Sequence, residues 1–166
     1  MGFDTFEINL LFFQGDQLFP LEAVQSSTHN CSVTEEVCGP ANLCIDSDLN
    51  TFCHTASNGD TAPWFALMFS DSVTVTDIEL EISRGKRDRV GNVEVRITNC
   101  LPTDGNTKFT GGEFFGNFSG PDTPGRFVSL SNKPTQGRFV LVQRDQGEYP
   151  NNVLIMEDIR VFGPSG

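Results

Sequence analysis

Two segments that alternate strictly between polar and apolar residues constrain the fold more than any other feature of the sequence. Thr76–Ser83 and Asn92–Thr98 place apolar side chains at every second position. Because successive side chains of a β-strand point to opposite faces, each segment is predicted to be a strand with one buried and one polar face. No stretch of about ten or more residues has the period of an amphipathic helix. The sequence therefore predicts an all-β protein, an antiparallel β-sandwich or jelly roll of about eight strands.

Other strands are predicted where apolar residues run between turn-forming residues. The letters G-R-F-V open two of these segments, and a further strand is expected around Phe114 within the Gly- and Pro-rich stretch 100–124. Trp64, the single tryptophan, begins an apolar run and is predicted to be a core residue. The remaining predicted strands are Leu21–Thr28, Trp64–Phe69, 125–130, 137–142 and Val153–Phe162.

The length of 166 residues suits one ordinary domain. Residues 1–20 are expected to be an N-terminal extension or a first edge strand, and residues 21–166 the sandwich itself. The net charge of −11 disfavours binding to nucleic acid, which needs a positive surface. No apolar run of about twenty residues is present, so membrane insertion is not expected. The sequons Asn30-Cys31-Ser32 and Asn117-Phe118-Ser119 fit an exported protein, and we expect a module of a larger extracellular or cell-surface protein.

Five cysteines in a chain of this length indicate an oxidising compartment. The pairs Cys31–Cys38 and Cys44–Cys53 are favoured, since each joins neighbours in sequence across a turn-rich loop. Other connectivities remain open, as does the state of Cys100.

The segment from Ala41 to Trp64 concentrates polar groups in a predicted loop. Asp46 and Asp48 are two positions apart and Thr51 follows closely, which makes an oxygen-rich turn. Calcium takes carboxylate, hydroxyl and carbonyl oxygens as ligands. Cys44 and Cys53 flank the turn, and a disulfide between them would close it.

Glu157 is the one charged residue on the apolar face of the last predicted strand. Val153, Ile155, Ile159 and Val161 share its phase. A carboxylate on a buried face is costly unless it is paired, hydrogen-bonded or bound to a metal. A partner for Glu157 is therefore expected, either a cation or an arginine.

Four motifs occur in an order that resembles a known family. They are A-x-Q-S-S-T at 23–28, I-D-x-D-x-N-T-F-x-H-T at 45–55, P-W at 63–64 and E-D-I-R-V-F-G at 157–163. The order is similar to that of discoidin or coagulation-factor type C domains, including family 32 carbohydrate-binding modules and F-type, or fucose-binding, lectins. The resemblance spans about Leu21 to Gly163 and implies a galactose-binding-like β-sandwich.

The resemblance also implies one structural Ca²⁺ that joins the polar turn to the last strand. In the alternative interpretation, Glu157 forms an ion pair with an arginine and Asp46 caps a turn. The implied metal ligands are the side chains of Asp46, Asp48, Thr51 and Glu157 and the carbonyl oxygens of Leu43 and Met156.

F-type lectins bind fucose through a histidine and two arginines, and His54, Arg84 and Arg89 occupy comparable positions. Arg87 belongs to the same basic run, although Lys86 stands where the family has aspartate. Phe52 is the candidate aromatic face for a sugar, or else a core residue beneath the loop. The alternatives are a solvated hairpin for 84–89 and a simple turn role for His54.

These features predict a non-catalytic, lectin-like module that binds a glycan through loops at one end of a calcium-stabilised sandwich. The glycan is a fucose- or galactose-type sugar or an anionic one. The alternative is an extracellular adhesion or protein-interaction domain on the same fold. An enzyme is not expected, because His29 and His54 are the only histidines and neither lies in a nucleophile or metal-hydrolase motif.

Overall fold

The computed structural model describes residues 15–28, 39–56, 60–81, 91–119, 127–144 and 153–166. Within these ranges the chain forms nine strands and one 3-10 helix at Ala41–Cys44. The strands are β1 Gly15–Leu18, β2 Glu22–Gln25, β3 Cys53–His54, β4 Trp64–Glu81, β5 Val93–Thr98, β6 Glu113–Phe118, β7 Phe127–Arg144, β8 Ile155–Met156 and β9 Asp158–Pro164.

Seven strands form one hydrogen-bonded sheet in the order β1-β9-β4-β7-β5-β6, with β2 also paired to β4. The other two, β3 and β8, pair with each other. Every pairing is antiparallel, so the predicted all-β antiparallel fold is confirmed. Residues 15–18 of the N-terminal segment form the edge strand beside β9. Among the described residues, no helix has the length and hydrophobicity to cross a membrane.

Four segments that the sequence divides into separate strands belong to two long ones. Strand β4 covers 64–69 and most of 76–83, and β7 covers most of 125–130 and all of 137–142. The β4–β7 register shifts between Met68 and Val73, and again between Val75 and Asp77. Such bulges bend a strand and increase its twist. Each long strand therefore continues through the bend instead of ending in a turn.

The two halves of β4 pair with different neighbours and share one core. The first half pairs with β2, and the second half pairs with β9. Phe65 and Leu67 from the first half lie in the same buried cluster as Ile78 and Leu80 from the second. The cluster also contains side chains from β5, β7 and β9, as in a sandwich whose layers bury their inner faces against each other.

A second, smaller core lies on the outer face of the sheet, under the loop that follows β5. Trp64 is 7% exposed and packs with Ala66 and Leu141, with Leu101 and Phe109 of the loop beside them. The Trp64 indole N–H donates to the Asp104 carbonyl at 2.8 Å, which satisfies its polar atom. The prediction that Trp64 is a core residue is confirmed.

Ion pairs around Glu94 hold the same loop in place. The Glu94 carboxylate accepts from the Arg96 guanidinium at 2.6 Å and from the Lys108 ammonium at 2.8 Å. Arg96 also donates to the Gly111 and Thr110 carbonyls, at 2.8 and 3.0 Å. Lys108 belongs to the loop and Arg96 to the sheet, so Glu94 joins the two.

The electrostatics of Glu94 predict a pH dependence of stability. Burial raises the pKa of this carboxyl, but hydrogen bonds and charges from Lys108 and Arg96 outweigh burial and bring the pKa below its usual 4.5. A lowered folded-state pKa stabilises the fold above the unfolded pKa, and this contribution is lost as pH falls through the folded value. We expect Glu94→Gln to unfold at a lower urea concentration than wild type at neutral pH. The difference should shrink progressively below pH 4.5.

Glu113→Gln is the matched control, because that carboxylate is 61% exposed and lies 3.4 Å from the Lys133 ammonium. Exposed pairs contribute little, so its urea midpoint should stay near that of wild type. A Glu94→Gln effect that is constant from neutral to acidic pH would contradict the assignment.

Candidate functional site

The oxygen-rich turn follows the 3-10 helix and is shaped by its own carboxylates. The Asp48 N–H donates to Asp46 Oδ1 at 2.9 Å, and the Asn50 N–H donates to Asp48 Oδ1 at 3.0 Å. Ser47 has a φ of 61°, a left-handed conformation that turns the chain between the two aspartates. The backbone N–H and then the side-chain amide of Asn50 lower the pKa of the Asp48 carboxyl. Asp46 and Asp48 are both exposed.

Four acceptor oxygens surround the Thr51 hydroxyl. Thr51 Oγ1 lies 3.0 and 2.9 Å from the two carboxylate oxygens of Asp46. It also lies 2.8 Å from the Asp48 carbonyl and 3.3 Å from the Leu43 carbonyl. A hydroxyl has a single proton to donate, so it can satisfy only one of these four acceptors at a time. Two of the four have a further donor within the turn, because Asp46 Oδ1 accepts the Asp48 N–H at 2.9 Å and the Asp48 carbonyl accepts the Thr51 N–H at 3.1 Å. The turn therefore gathers several oxygen acceptors around one hydroxyl.

This donor set suits a hard cation, which takes carboxylate, hydroxyl and carbonyl oxygens together. Among the described residues, no three His, Cys, Asp or Glu side chains form a metal-binding group. The predicted set contains three carboxylates, those of Asp46, Asp48 and Glu157, and the structure does not gather these three into such a group. The structure thus brings Leu43, Asp46, Asp48 and Thr51 together, while metal binding by them remains a prediction.

The Cys44–Cys53 disulfide closes the loop that contains the turn. Its Cα atoms are 5.3 Å apart, and both cysteines are buried, so this predicted pair is confirmed. Cys53 pairs with Met156 across the β3–β8 ladder, and the Met156 carbonyl lies 3.3 Å from Cys44 Sγ. The predicted carbonyl ligand Met156 therefore lies against the base of the loop. Cys31 and Cys38 lie outside the described residues, within which Cys100 is free and exposed.

Glu157 occupies the break between β8 and β9. It is 8% exposed, so its predicted burial is confirmed, and its backbone N–H donates to the Glu81 carbonyl at 2.9 Å. The sequence predicts one strand over Val153–Phe162, whereas β8 ends at Met156 and β9 begins at Asp158. The break allows β8 to pair with β3 while β9 pairs with β4. A ligand role for Glu157 stays a prediction.

His54 is largely enclosed by its own loop. It is 4% exposed, and its Nδ1–H donates to the Thr55 carbonyl, which fixes the ring tautomer. Its backbone N–H donates to the Gly39 carbonyl at 2.8 Å. Phe52 is half-buried, and its ring centroid lies 6.5 Å from that of His54. The structure thus brings these two predicted sugar contacts together, and sugar contact by either remains a prediction.

The predicted arginines, Arg84, Arg87 and Arg89, lie outside the described residues. Described residues lie on both sides of them. The Glu81 side contacts the segment that begins at Val153 directly, and the Val93 side is linked to it through Arg144. On one side Glu81 accepts from the Glu157 N–H at 2.9 Å. On the other, Val93 pairs with Arg144, and the Arg144 guanidinium donates to the Val153 carbonyl at 2.5 Å.

The residues between these two contacts, from Val153 to Glu157, include β8, which pairs with β3. Within it, Ile155 pairs with His54. The Thr55 N–H donates to the Leu154 carbonyl at 3.0 Å, and the Leu154 N–H donates to the Thr55 hydroxyl at 2.9 Å. The end of β4 therefore contacts the segment that pairs with the His54 strand, and the start of β5 is linked to it through Arg144.

A serine pair anchors the loop after His54, a role that the sequence interpretation missed. Ser26 Oγ donates to Asp60 Oδ2 at 2.7 Å, and Ser27 Oγ donates to the same oxygen. The two hydroxyls also accept backbone N–H groups, from Trp64 at 3.1 Å and from Ala56 at 2.9 Å. The S-S letters of the A-x-Q-S-S-T motif were the available signal. Their function is to hold both ends of the loop onto β2.

Comparison of the sequence with protein-family models and with curated proteins finds no match. Comparison of the structure with solved structures finds many.

One is the f-lectin (fucolectin) from striped bass (Morone saxatilis) serum, with a TM-score of 0.67 and 25% identity over 86% of this chain. A carbohydrate-binding module from Clostridium perfringens, in complex with GalNAc-β-1,3-galactose, has a TM-score of 0.64 and 18% identity, and 86% and 94% of the two chains are covered. A Streptococcus pneumoniae fucose-binding module has a TM-score of 0.62 and 16% identity, with 87% and 92% covered.

The chain therefore has the discoidin, or galactose-binding-like, fold, as its motifs predicted. The matched part amounts to 46% of the striped bass chain. The solved structures that it resembles are described as lectins and carbohydrate-binding modules.

The disulfide predicts a measurable share of the stability. Replacing both Cys44 and Cys53 by alanine should lower the free energy of unfolding by about 2–4 kcal/mol, because the unfolded chain gains freedom when the loop is no longer closed. Urea denaturation followed by tryptophan fluorescence measures this, since Trp64 is the only tryptophan and is buried.

Cys100→Ala is the control, because that thiol is exposed and free. Its midpoint should equal that of wild type. A double variant with an unchanged midpoint would show that the disulfide does not contribute to stability.

Proposed function

We propose that this chain is a non-catalytic glycan-binding module. The observation that carries the proposal is the match of its fold, over 86–87% of its length, to proteins described as a fucolectin, a fucose-binding module and a carbohydrate-binding module in complex with a disaccharide. Because one fold can host several functions, the proposal also depends on the site.

The proposed sugar site consists of His54, Phe52 and the arginines Arg84, Arg87 and Arg89. Arginine and imidazole N–H groups suit hydrogen bonding to sugar hydroxyls, and arginine also pairs with a sulfate or carboxylate on an anionic glycan. Support comes from the described residues on either side of the basic segment. Glu81 contacts the C-terminal segment that pairs with the His54 strand, and Val93 is linked to that segment through Arg144. The glycan is a fucose- or galactose-type sugar or an anionic one.

A structural Ca²⁺ is proposed in the oxygen-rich turn, held by Asp46, Asp48, Thr51, Glu157 and the carbonyls of Leu43 and Met156. The four oxygen acceptors gathered around the Thr51 hydroxyl support it, because hard cations take carboxylate, hydroxyl and carbonyl oxygens together. Bound there, Ca²⁺ would supply positive charge and rigidity to the loop. The chain's own residues would contact the sugar.

The proposed location is extracellular, within a larger protein. A disulfide in a small domain fits an oxidising compartment. The striped bass chain is more than twice as long as the part that matches. A single module of this kind would bind weakly, so several copies, or further domains, would raise the avidity.

A second candidate is a protein-interaction domain on the same fold. Phe19 and Leu21, in the connection between β1 and β2, are 77% and 68% exposed. Two large apolar side chains in one short connection are a feature of contact surfaces.

A glycan array tests the first candidate. We expect the purified protein to bind a defined terminal sugar or a sulfated glycan, and Arg84→Ala/Arg89→Ala to weaken that binding about tenfold or more, the effect of losing charge-assisted hydrogen bonds. Lys133→Ala is the control, because it also removes a positive charge and its side chain, on β7, is 74% exposed. Failure of wild type to bind any glycan would favour the interaction domain.

Thermal melts test the calcium site separately. A ligand at a hundredfold excess over its Kd stabilises a protein by about 2.7 kcal/mol, so chelation should lower the Tm of wild type. Asp46→Asn should melt at the same temperature with Ca²⁺ and with chelator, whereas Asp71→Asn, an exposed acid of β4, should behave as wild type. Identical wild-type melts in both conditions would argue against a bound Ca²⁺.

A further inference from the structure

The triplet Asn117-Phe118-Ser119 has the N-x-S pattern of a glycosylation acceptor, and its middle residue is not proline. It lies at the C-terminal end of β6. Asn117 and Ser119 are exposed, whereas Phe118 is 8% exposed and belongs to the main core cluster. The strand alternation therefore turns the acceptor amide and the serine hydroxyl outward and anchors the triplet through its middle residue.

The β5–β6 register fixes this orientation. Phe118 lies opposite Val93, and both are buried in the core. Asn117 lies opposite Glu94, whose carboxylate meets Arg96 and Lys108 on the outer face. Within the described ranges, the exposed Asn117 side chain makes no hydrogen bond, so its amide is not engaged by another group there.

The surroundings of Asn117 suit a large hydrophilic group. In the part of the chain that the structure describes, β6 is the last strand of the sheet. An open edge presents backbone groups that can pair with another chain, and Phe114 of the same strand is 50% exposed. A bulky, solvated group at Asn117 would shield this edge from association.

We propose that Asn117 is an N-glycosylation site that is modified when the chain enters a eukaryotic secretory pathway. The co-reactant is a lipid-linked oligosaccharide diphosphate. The Asn117 Nδ2 forms a bond to the first sugar carbon as that carbon's bond to the diphosphate oxygen breaks. The amide loses one proton, and the lipid diphosphate leaves. The proposal rests on the extracellular location proposed above and is independent of sugar binding by the loops.

The test is secretion of the full chain, behind a cleavable signal, from a eukaryotic cell line. Asn30→Gln removes the other sequon of this chain, so that any N-glycan must be attached at Asn117. We expect the secreted protein to migrate faster after treatment with peptide N-glycosidase. That enzyme converts a modified asparagine into aspartate, and peptide mass spectrometry should locate the conversion at Asn117.

Adding Asn117→Gln or Ser119→Ala should abolish the shift, and adding Ser119→Thr, which keeps the hydroxyl, should preserve it. Melts of the same variants made in bacteria check folding, and we expect them to match wild type because both positions are exposed. A secreted Asn30→Gln protein with an unmodified Asn117 peptide would overturn the proposal, even if a variant fails to fold. Glycan-array binding by the same sample tests the proposed sugar site, so the two proposals can fail separately.

Discussion

The pairing of β4 with β7 is the constraint on which the rest of the sheet depends. Strands β2 and β9 pair with β4, β5 pairs with β7, and β6 and β1 extend the sheet from β5 and β9. Bulges in the same ladder bend both long strands. As a result, Phe65 and Ile78, from two halves of one strand, lie in a common core. A single pairing thus determines both the neighbours and the curvature of the sheet.

The candidate site depends on this arrangement through the C-terminal segment. Strand β9 is held by the second half of β4, which positions β8 to pair with β3. The loop with Asp46 and Thr51 is therefore fixed at its base by the buried Cys44–Cys53 disulfide and by the Met156 ladder contact, although its carboxylates are exposed. Exposed polar groups on a rigid, buried base suit recognition, because little order has to be gained on binding.

Features set by neighbouring residues were predictable from the sequence, and those set by distant contacts were not. Alternation identified the strands, and charge on an apolar phase identified buried Glu157. The continuity of β4 was missed, because polar residues such as those around Asp71 occur both in turns and in bulged strands. The Ser26–Asp60 contact joins residues 34 positions apart, and no local pattern specifies it. Sugar contact by Arg84, Arg87 and Arg89 stays a prediction, because they lie outside the described residues.

The length of chain between β3 and β8 has a consequence for synthesis. Cys44 and Cys53 are separated by 9 positions, so they can meet soon after both have left the ribosome. The Leu154–Thr55 hydrogen bond spans 99 positions, and closing so long a loop is slow and entropically costly. During translation the disulfide can therefore close the oxygen-rich turn long before Met156, which lies against the base of the loop, has been synthesised. The end of the module proposed to meet the glycan is completed only after residues 153–157 have emerged.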